Sequence, residues 1–143
     1  MNYLLDTCVI SELVKNRPCP AVAAWIESIP EDRLYLSVIT LGELQKGICK
    51  LENGARQRQL LAWLDIEVRQ RFAGRILPLD EDTLMQWGRL TGTAENAGQP
   101  RPVLDCLLAA TARVHHLILV TRNTADVQET GVELLNPWPE GGR

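Results

Sequence analysis

Four carboxylates in this sequence stand where parallel sheets bind ligands. Asp6 ends the first apolar run, and Glu43 lies early in the helix that follows the second. Asp105 lies in the first turn of a later predicted helix, and Asp126 comes shortly after the fourth strand. In an open parallel sheet, ligands bind beyond the carboxyl ends of the strands, where the strand order reverses. We expect the four side chains to meet at that edge.

Four carboxylates at one edge repel one another unless something positive joins them. Hard divalent cations with oxygen ligands, such as Mg²⁺ or Mn²⁺, are the natural partners. A carboxylate cluster that holds one or two such ions can activate a water molecule and stabilise in-line attack on phosphorus. The residue types therefore indicate metal-dependent chemistry on a phosphate ester.

Each acid also has a structural interpretation. Glu43 stands three residues after Thr40, which is the spacing of a capping box. Asp105 in a first helical turn is favoured by the helix dipole without any metal, and Asp126 fits a solvated helix surface. Asp6 is harder to explain in this way, because an acid directly after a buried strand is costly unless it has a partner.

Short apolar runs alternate with helical patterns along the chain. The predicted strands are residues 2–5, 34–38, 75–77, 117–120 and 132–135. The predicted helices are residues 7–16, 20–29, 40–51, 55–72, 81–96 with Asp80 as the cap, 102–115 and 124–129. This alternation predicts an α/β protein, a single three-layer α/β/α domain with a mainly parallel sheet of about five strands. We expect the domain to span residues 1–135, followed by a short, frayed, Pro/Gly-rich tail at residues 136–143.

Length and composition exclude several classes of protein. The chain has 143 residues, of which 45% are hydrophobic and 23% charged, as in an ordinary folded domain rather than a disordered one. No apolar run approaches the length of a membrane helix, and the first residues do not form a secretory signal. We therefore expect a cytoplasmic protein with no membrane partner. The net charge of −3 argues against a simple electrostatic grip on nucleic acid, but two divalent ions would offset the four acids.

Other catalytic motifs are missing. Zinc-ligand spacing is absent among the four cysteines and the adjacent His115 and His116. We expect the cysteines to be reduced thiols in the core and the histidines to lie near a helix end. No glycine-rich phosphate-binding loop or serine nucleophile elbow occurs. After Asp6, the chain lacks the second aspartate that a phosphoaspartyl phosphatase needs.

In combination, the motifs resemble those of PIN-domain ribonucleases, and specifically the VapC-type toxins of bacterial toxin–antitoxin pairs. The resemblance is carried by residues 5–7 (Leu-Asp-Thr), residues 37–44 with Gly47, Asp105 in a helix of small and apolar residues, and residues 119–126. The ending at residues 131–138 looks most like the FitB-like branch. The motifs occur in family order over nearly the whole chain.

The resemblance implies a set of catalytic, metal-binding acids: Asp6, Glu43, Asp105 and Asp126. It also implies polar residues that orient these carboxylates, namely Thr7 and Thr121. Some family members carry an acid where this chain has Asn123, which can contribute through its amide oxygen or by orienting water. The position after Asp126 is commonly aromatic in the family and is Val127 here.

The resemblance further implies a Mg²⁺-dependent endoribonuclease, with Mn²⁺ as a substitute, that forms a homodimer. RNA is the implied substrate. A cognate antitoxin would cover the acidic pocket and would itself bind operator DNA, so this chain would reach DNA only through the antitoxin.

Basic side chains near Glu43 are possible RNA-phosphate contacts: Lys46, Lys50, Arg56 and Arg58. Lys46 and Lys50 are four residues apart and so share one helical face. A second basic group is Arg69, Arg71 and Arg75. A solvated helix surface is the alternative interpretation of both groups.

Three tryptophans lie at apolar helical spacings: Trp25, Trp63 and Trp87. Core packing is the expected role. A groove for a dimer partner or an antitoxin is the alternative, because tryptophan is enriched in interface hot spots.

Two other function classes remain open. Asn123 in place of an acid allows a degenerate PIN-like module that binds RNA or a partner without catalysis. A receiver-type phosphotransfer domain is disfavoured, because strand three ends in Leu77-Pro78 rather than an acceptor aspartate, and no lysine follows Lys50.

Overall fold

A five-stranded parallel sheet forms the centre of the protein. The structure is a computed structural model that describes residues 1–139. Its strands are β1 (Tyr3–Leu5), β2 (Leu34–Ser37), β3 (Ile76–Leu77), β4 (Ile118–Val120) and β5 (Leu134–Leu135). They lie in the order β3-β2-β1-β4-β5, and every neighbouring pair is parallel. The predicted fold class and strand number are confirmed.

Helices connect the strands. They are α1 (Thr7–Leu13), α2 (Pro20–Ser28), α3 (Val38–Cys49), α4 (Ala55–Ala62), α5 (Arg69–Arg71), α6 (Glu81–Asn96) and α7 (Val103–Val114). A π-helical segment, Trp63–Val68, joins α4 to α5, so the helix predicted at 55–72 changes its hydrogen-bond pattern midway. The helix predicted at 124–129 is only a 3₁₀ turn, Thr124–Asp126. Within residues 1–139, no helix is long and apolar enough to cross a membrane.

Two hydrophobic layers cover the sheet, one on each face. Successive strand side chains point to opposite faces, and Leu5 of β1 accordingly packs in one buried cluster while Leu4 packs in the other. The first cluster includes Val9 of α1 and Val22 of α2. The second includes Leu108 of α7. Strand β1 is therefore enclosed on both faces, and the residue directly after it lies at the middle of the sheet edge.

The start of α3 differs from the prediction. The helix begins at Val38, directly after β2, and Ser37 caps it by accepting a hydrogen bond from the Ile39 amide at 3.0 Å. Thr40 therefore lies inside the helix and is fully buried. The capping-box interpretation of Thr40 and Glu43 is wrong, because a serine at the strand end makes the cap without an intervening loop.

The cap of α6 agrees with the prediction. The Thr83 amide donates to the Asp80 carboxylate at 3.0 Å. This bond lowers the pKa of Asp80. Asp80 is thus fully explained as a helix cap, and the acids beside it, Glu81 and Asp82, stand in the first helical turn.

The C-terminal segment is partly built into the core. Trp138 is only 6% exposed and packs in the same cluster as Val9. The Arg122 guanidinium lies 5.3 Å from the centre of its ring. The expected frayed tail is therefore wrong for residues 136–139, and residues 140–143 lie outside the described part of the chain. The predicted domain end at residue 135 remains a prediction.

We expect Trp138→Ala to lower the free energy of unfolding by about 3–5 kcal/mol, as truncation of a buried tryptophan does. Arg122→Gln removes only the cation–π contact and should cost about 0.5–1 kcal/mol. Urea denaturation of the full chain measures both. Equal small losses for the two variants would contradict a core role for Trp138.

Candidate active site

Asp6 lies at the point where the strand order reverses. It follows β1, between the ends of β2 and β4, and is the N-cap of α1. One carboxylate oxygen accepts from the Thr7 amide at 2.7 Å. The other accepts from the Thr121 hydroxyl at 2.7 Å and from the Cys8 thiol at 3.7 Å. These donors supply the partners that an acid after a buried strand requires, and they fix the carboxylate in one orientation.

Glu43 approaches the same edge from α3. The Thr7 hydroxyl donates to its carboxylate and also lies 3.3 Å from the Thr40 hydroxyl. Thr7 thus contacts Asp6 through its backbone and Glu43 through its side chain. A single threonine ties together two acids that lie 37 positions apart in the sequence.

Asp105 carries the electrostatic evidence that the four acids share one site. It lies in the first turn of α7 and is half-buried. Burial, together with the negative charges of Asp6, Asp126 and Glu43, raises its pKa from an ordinary value of 3.8 to about 6. Asp105 is therefore close enough to the other three predicted acids to be affected by their charges, although four different elements carry them.

Asp126 and Asn123 lie on the exposed side of this edge. Asp126 ends the 3₁₀ turn and is exposed. The backbone amide of Asn123 donates to the Thr121 hydroxyl at 3.1 Å. Thr121 therefore contacts both the Asn123 backbone and the Asp6 carboxylate. The choice between Asn123 and Asp126 as a fourth ligand remains a prediction.

The donor set fits a hard divalent cation. All four side chains offer carboxylate oxygens, which Mg²⁺ and Mn²⁺ prefer. Within residues 1–139, no three acidic, histidine or cysteine side chains are arranged to hold an ion directly. Mg²⁺ usually keeps several waters and uses only one or two carboxylates directly. The arrangement therefore suits a partly hydrated ion better than a fully enclosed one.

The first predicted basic group lies on the surface near Glu43. Lys46 and Lys50 on α3 are exposed, as are Arg56 and Arg58 at the start of α4. Lys46 and Glu43 line one apolar cavity of about 340 Å³. Among these four cations, Lys46 is therefore the one that shares a cavity with a site acid.

The second basic group is engaged in the fold. Arg71 forms a bidentate ion pair with Glu31, at 2.9 and 3.0 Å. Arg75 donates to the backbone carbonyls of Glu31 and Leu34. Arg69 lies 3.7 Å from Asp65 in an exposed ion pair. These contacts favour the structural interpretation of Arg71 and Arg75 over contact with phosphates.

The tryptophans divide between the two interpretations. Trp25 packs against the core with its ring edge-on to Tyr3, at 5.1 Å between ring centres. Trp63 packs against the same core but also lines a groove of about 150 Å³ that includes Thr7 and Glu43. Trp63 is therefore placed where a partner could reach the acids.

Sequence reasoning missed two residues of the site. Cys8 donates to Asp6, and burial with the neighbouring Asp6 charge raises its pKa to about 11, so the thiol stays uncharged. Arg101 donates to the backbone carbonyls of Ala125 and Asp126, at 3.4 and 3.3 Å. In the sequence, Cys8 is marked only by its closeness to Asp6, and Arg101 only by its closeness to Asp105. Neither pair of residues forms a recognisable motif.

We expect Asp105→Asn to stabilise the metal-free protein above pH 7, because it removes a half-buried charge and its repulsion by the neighbouring acids. The folded protein holds the Asp105 proton more tightly than the unfolded chain does, so the wild type loses stability as the pH rises from about 4 to about 6. After a discount for solvent screening at a half-buried group, the gain is about 1 kcal/mol, or about 3 °C in Tm.

Thermal unfolding in EDTA at pH 8, 6 and 4 measures the difference in Tm between Asp105→Asn and the wild type. It should be largest at pH 8 and vanish near pH 4. Asp82→Asn, in the exposed first turn of α6, is the control and should show no such gain. An Asp105→Asn variant that is less stable at pH 8 would contradict the clustering of the acids.

Comparison with known proteins agrees with the sequence resemblance. The PIN domain matches residues 3–131. Toxin FitB of Neisseria gonorrhoeae is 38% identical over 135 residues, covering 94% of this chain and 97% of that protein. VapC ribonuclease Y4jK of Sinorhizobium fredii is also 38% identical, covering 94% of this chain and 96% of that protein.

A solved structure agrees in fold. The structure of FitAB bound to the IR36 DNA fragment superposes with a TM-score of 0.90 at 35% identity, covering 96% of each chain. The strand order, the acids at its switch point and these matches lead to one conclusion. The chain belongs to the PIN-domain family.

Proposed function

We propose that this protein is a cytoplasmic, Mg²⁺-dependent endoribonuclease. In this proposal it is the toxin of a type II toxin–antitoxin pair. The observation that carries the proposal is the convergence of Asp6 and Glu43 on Thr7, whose backbone amide donates to Asp6 and whose hydroxyl donates to Glu43. Burial and the charges of Asp6, Asp126 and Glu43 also raise the pKa of Asp105. Two relatives that match over 97% and 96% of their own length bear the names Toxin FitB and VapC ribonuclease Y4jK.

The proposed reaction is hydrolysis of an RNA phosphodiester bond by water. Bound Mg²⁺, or Mn²⁺ as a substitute, supplies activation of that water and neutralises charge at the scissile phosphate. Asp6, Glu43, Asp105 and Asp126 are the residues that would hold the ion. Their carboxylate chemistry supports this assignment, since hard cations favour oxygen ligands.

The remaining residues of the site position these acids. The Thr7 amide and the Thr121 hydroxyl donate to opposite oxygens of Asp6, so both fix its orientation. The Thr7 hydroxyl does the same for Glu43. Outer contacts of this kind commonly change metal affinity or activity about 10–100-fold when removed. Thr7 and Thr121 are therefore positioning residues in this proposal.

The proposed partners are an antitoxin and a second copy of the chain. The groove beside Trp63 reaches Thr7 and Glu43, so an antitoxin segment seated there would cover Glu43. The FitAB structure was solved with a DNA fragment. In this proposal, operator DNA is contacted through the antitoxin, and the toxin itself is a homodimer.

We expect purified, antitoxin-free protein to cleave a mixed RNA pool with Mg²⁺ and not with EDTA. Asp105→Asn should reduce the cleavage rate at least about 100-fold, because a direct ligand matters more than an outer contact. Gel analysis of end-labelled RNA measures the rate.

Asp82→Asn is the matched control, since it removes the same charge from the first turn of another helix. It should leave cleavage unchanged. Equal cleavage with EDTA, or by Asp105→Asn, would contradict the mechanism. A folded, metal-binding protein that binds RNA and never cuts it would instead be the degenerate binding module that Asn123 allows.

A further inference from the structure

A cavity of about 490 Å³ between α6, α7 and residues 129–131 is lined by three arginines. We call it the arginine cavity, after Arg89, Arg101 and Arg113. One wall is a face of α6, on which Arg89, Thr93 and Ala97 recur every four residues. The opposite wall contains Arg101, Arg113 and residues 129–131.

The cavity carries net positive charge in a protein whose overall charge is −3. Three arginines face one acid, Glu129, which pairs with Arg101 at 3.3 Å. Small side chains on α6, including Ala94 and Ala97, leave the space between the arginines open. A cavity of this volume is within the range of ligand sites.

Two of the arginines are held by the backbone. Arg113 donates to the Thr130 carbonyl at 2.9 Å, and its guanidinium sits where a side chain on Gly131 would come within 3.1 Å of it. Gly131 has a φ of +81°, which favours glycine. Arg101 is only 16% exposed and donates to two backbone carbonyls and to Glu129.

Each guanidinium keeps further donors for a ligand. An arginine has five N–H groups. Arg113 donates one of them to Thr130, and Arg89 donates one to Gln86. Planar guanidinium groups bind phosphate oxygens in pairs of hydrogen bonds. The chemistry of the cavity therefore suits a phosphate group.

Arg101 connects the cavity to the acids. It donates to the backbone carbonyl of Asp126 and precedes Asp105 by four residues. A polyanion that approaches the acids meets repulsion there, so cations at the border of the site are needed to hold it. Arg101 therefore joins the lining of the cavity to the turn that carries Asp126.

We propose that the arginine cavity binds a phosphate of the RNA substrate that flanks the scissile bond, through Arg89 and Arg113, while Arg101 positions the turn that carries Asp126. This inference rests on the proposed function, because it assigns a substrate subsite to the same nuclease. It adds cations from α6 and α7 that the sequence did not single out.

The test measures binding of a fluorescein-labelled, mixed-sequence, 20-nucleotide RNA by fluorescence anisotropy in EDTA, where cleavage is not expected. Arg89→Gln with Arg113→Gln should weaken binding about 10-fold at 0.1 M salt. Loss of contact with one phosphate should lower the slope of log affinity against log salt by about 0.7. Arg101 stays unchanged in this variant.

The matched control is Arg17→Gln with Arg33→Gln, which removes two charges from exposed positions away from the cavity. It should change affinity and salt slope much less. Thermal unfolding establishes that both double variants are folded. If the two double variants bind RNA equally well, the inference is wrong. It is also wrong if, in that case, the acidic polymer poly-glutamate binds these arginines better than RNA does.

A cleavage assay with Mg²⁺ separates the nuclease proposal from the arginine-cavity proposal. It compares the wild type with Asp105→Asn. Metal-dependent cleavage with no specific loss of binding in the cavity variant overturns the inference and leaves the nuclease intact. Specific loss of binding without any cleavage by the wild type overturns the nuclease and supports the cavity as an RNA site.

Discussion

Repulsion among four carboxylates at one sheet edge is the constraint on which the rest of the site depends. Burial and this repulsion together raise the pKa of Asp105 to about 6. The fold tolerates this cost because neighbouring donors hold two of the other acids, with Thr7 and Thr121 on Asp6 and Thr7 on Glu43. A fold selected for stability alone would not gather these charges. The arrangement is therefore best explained by a positive ligand, and in our proposal that ligand is Mg²⁺.

The strand order is what makes the convergence possible. Because β1 lies between β2 and β4, the ends of strands distant in the sequence meet beside Asp6. Thr121 contacts Asp6 across 115 positions, and Thr7 contacts Glu43 across 36. Asp105 lies in the first turn of α7, and Arg101 lies just before that helix begins. An acidic and a basic group therefore lie on adjoining surfaces. Such adjacency suits a polyanionic substrate that must approach negatively charged residues.

Much of the fold was predictable from the sequence, because the patterns that indicate strands and helix caps are local. Apolar runs and helical periods identified all five strands, and Asp80 was recognisable as a cap from its position alone. Ser37 was missed as the cap of α3 because Thr40 with Glu43 matched a known pattern. Trp138 was missed because a Pro/Gly-rich ending resembles a frayed tail, whereas its burial depends on packing against distant residues. Likewise, no local pattern relates Arg101 to the Asp126 turn.

The most direct test of the central claim is calorimetric titration of Mn²⁺ into the metal-free protein at pH 7.5. We expect measurable binding by the wild type, its loss in Asp6→Asn, and its retention in Asp82→Asn. Asp6 is the informative position, because the amide oxygen can still accept from the Thr7 backbone and the amide nitrogen can donate to the Thr121 hydroxyl, while the charge is gone. Equal Mn²⁺ binding by the wild type and Asp6→Asn would contradict the assignment of these acids as a metal site.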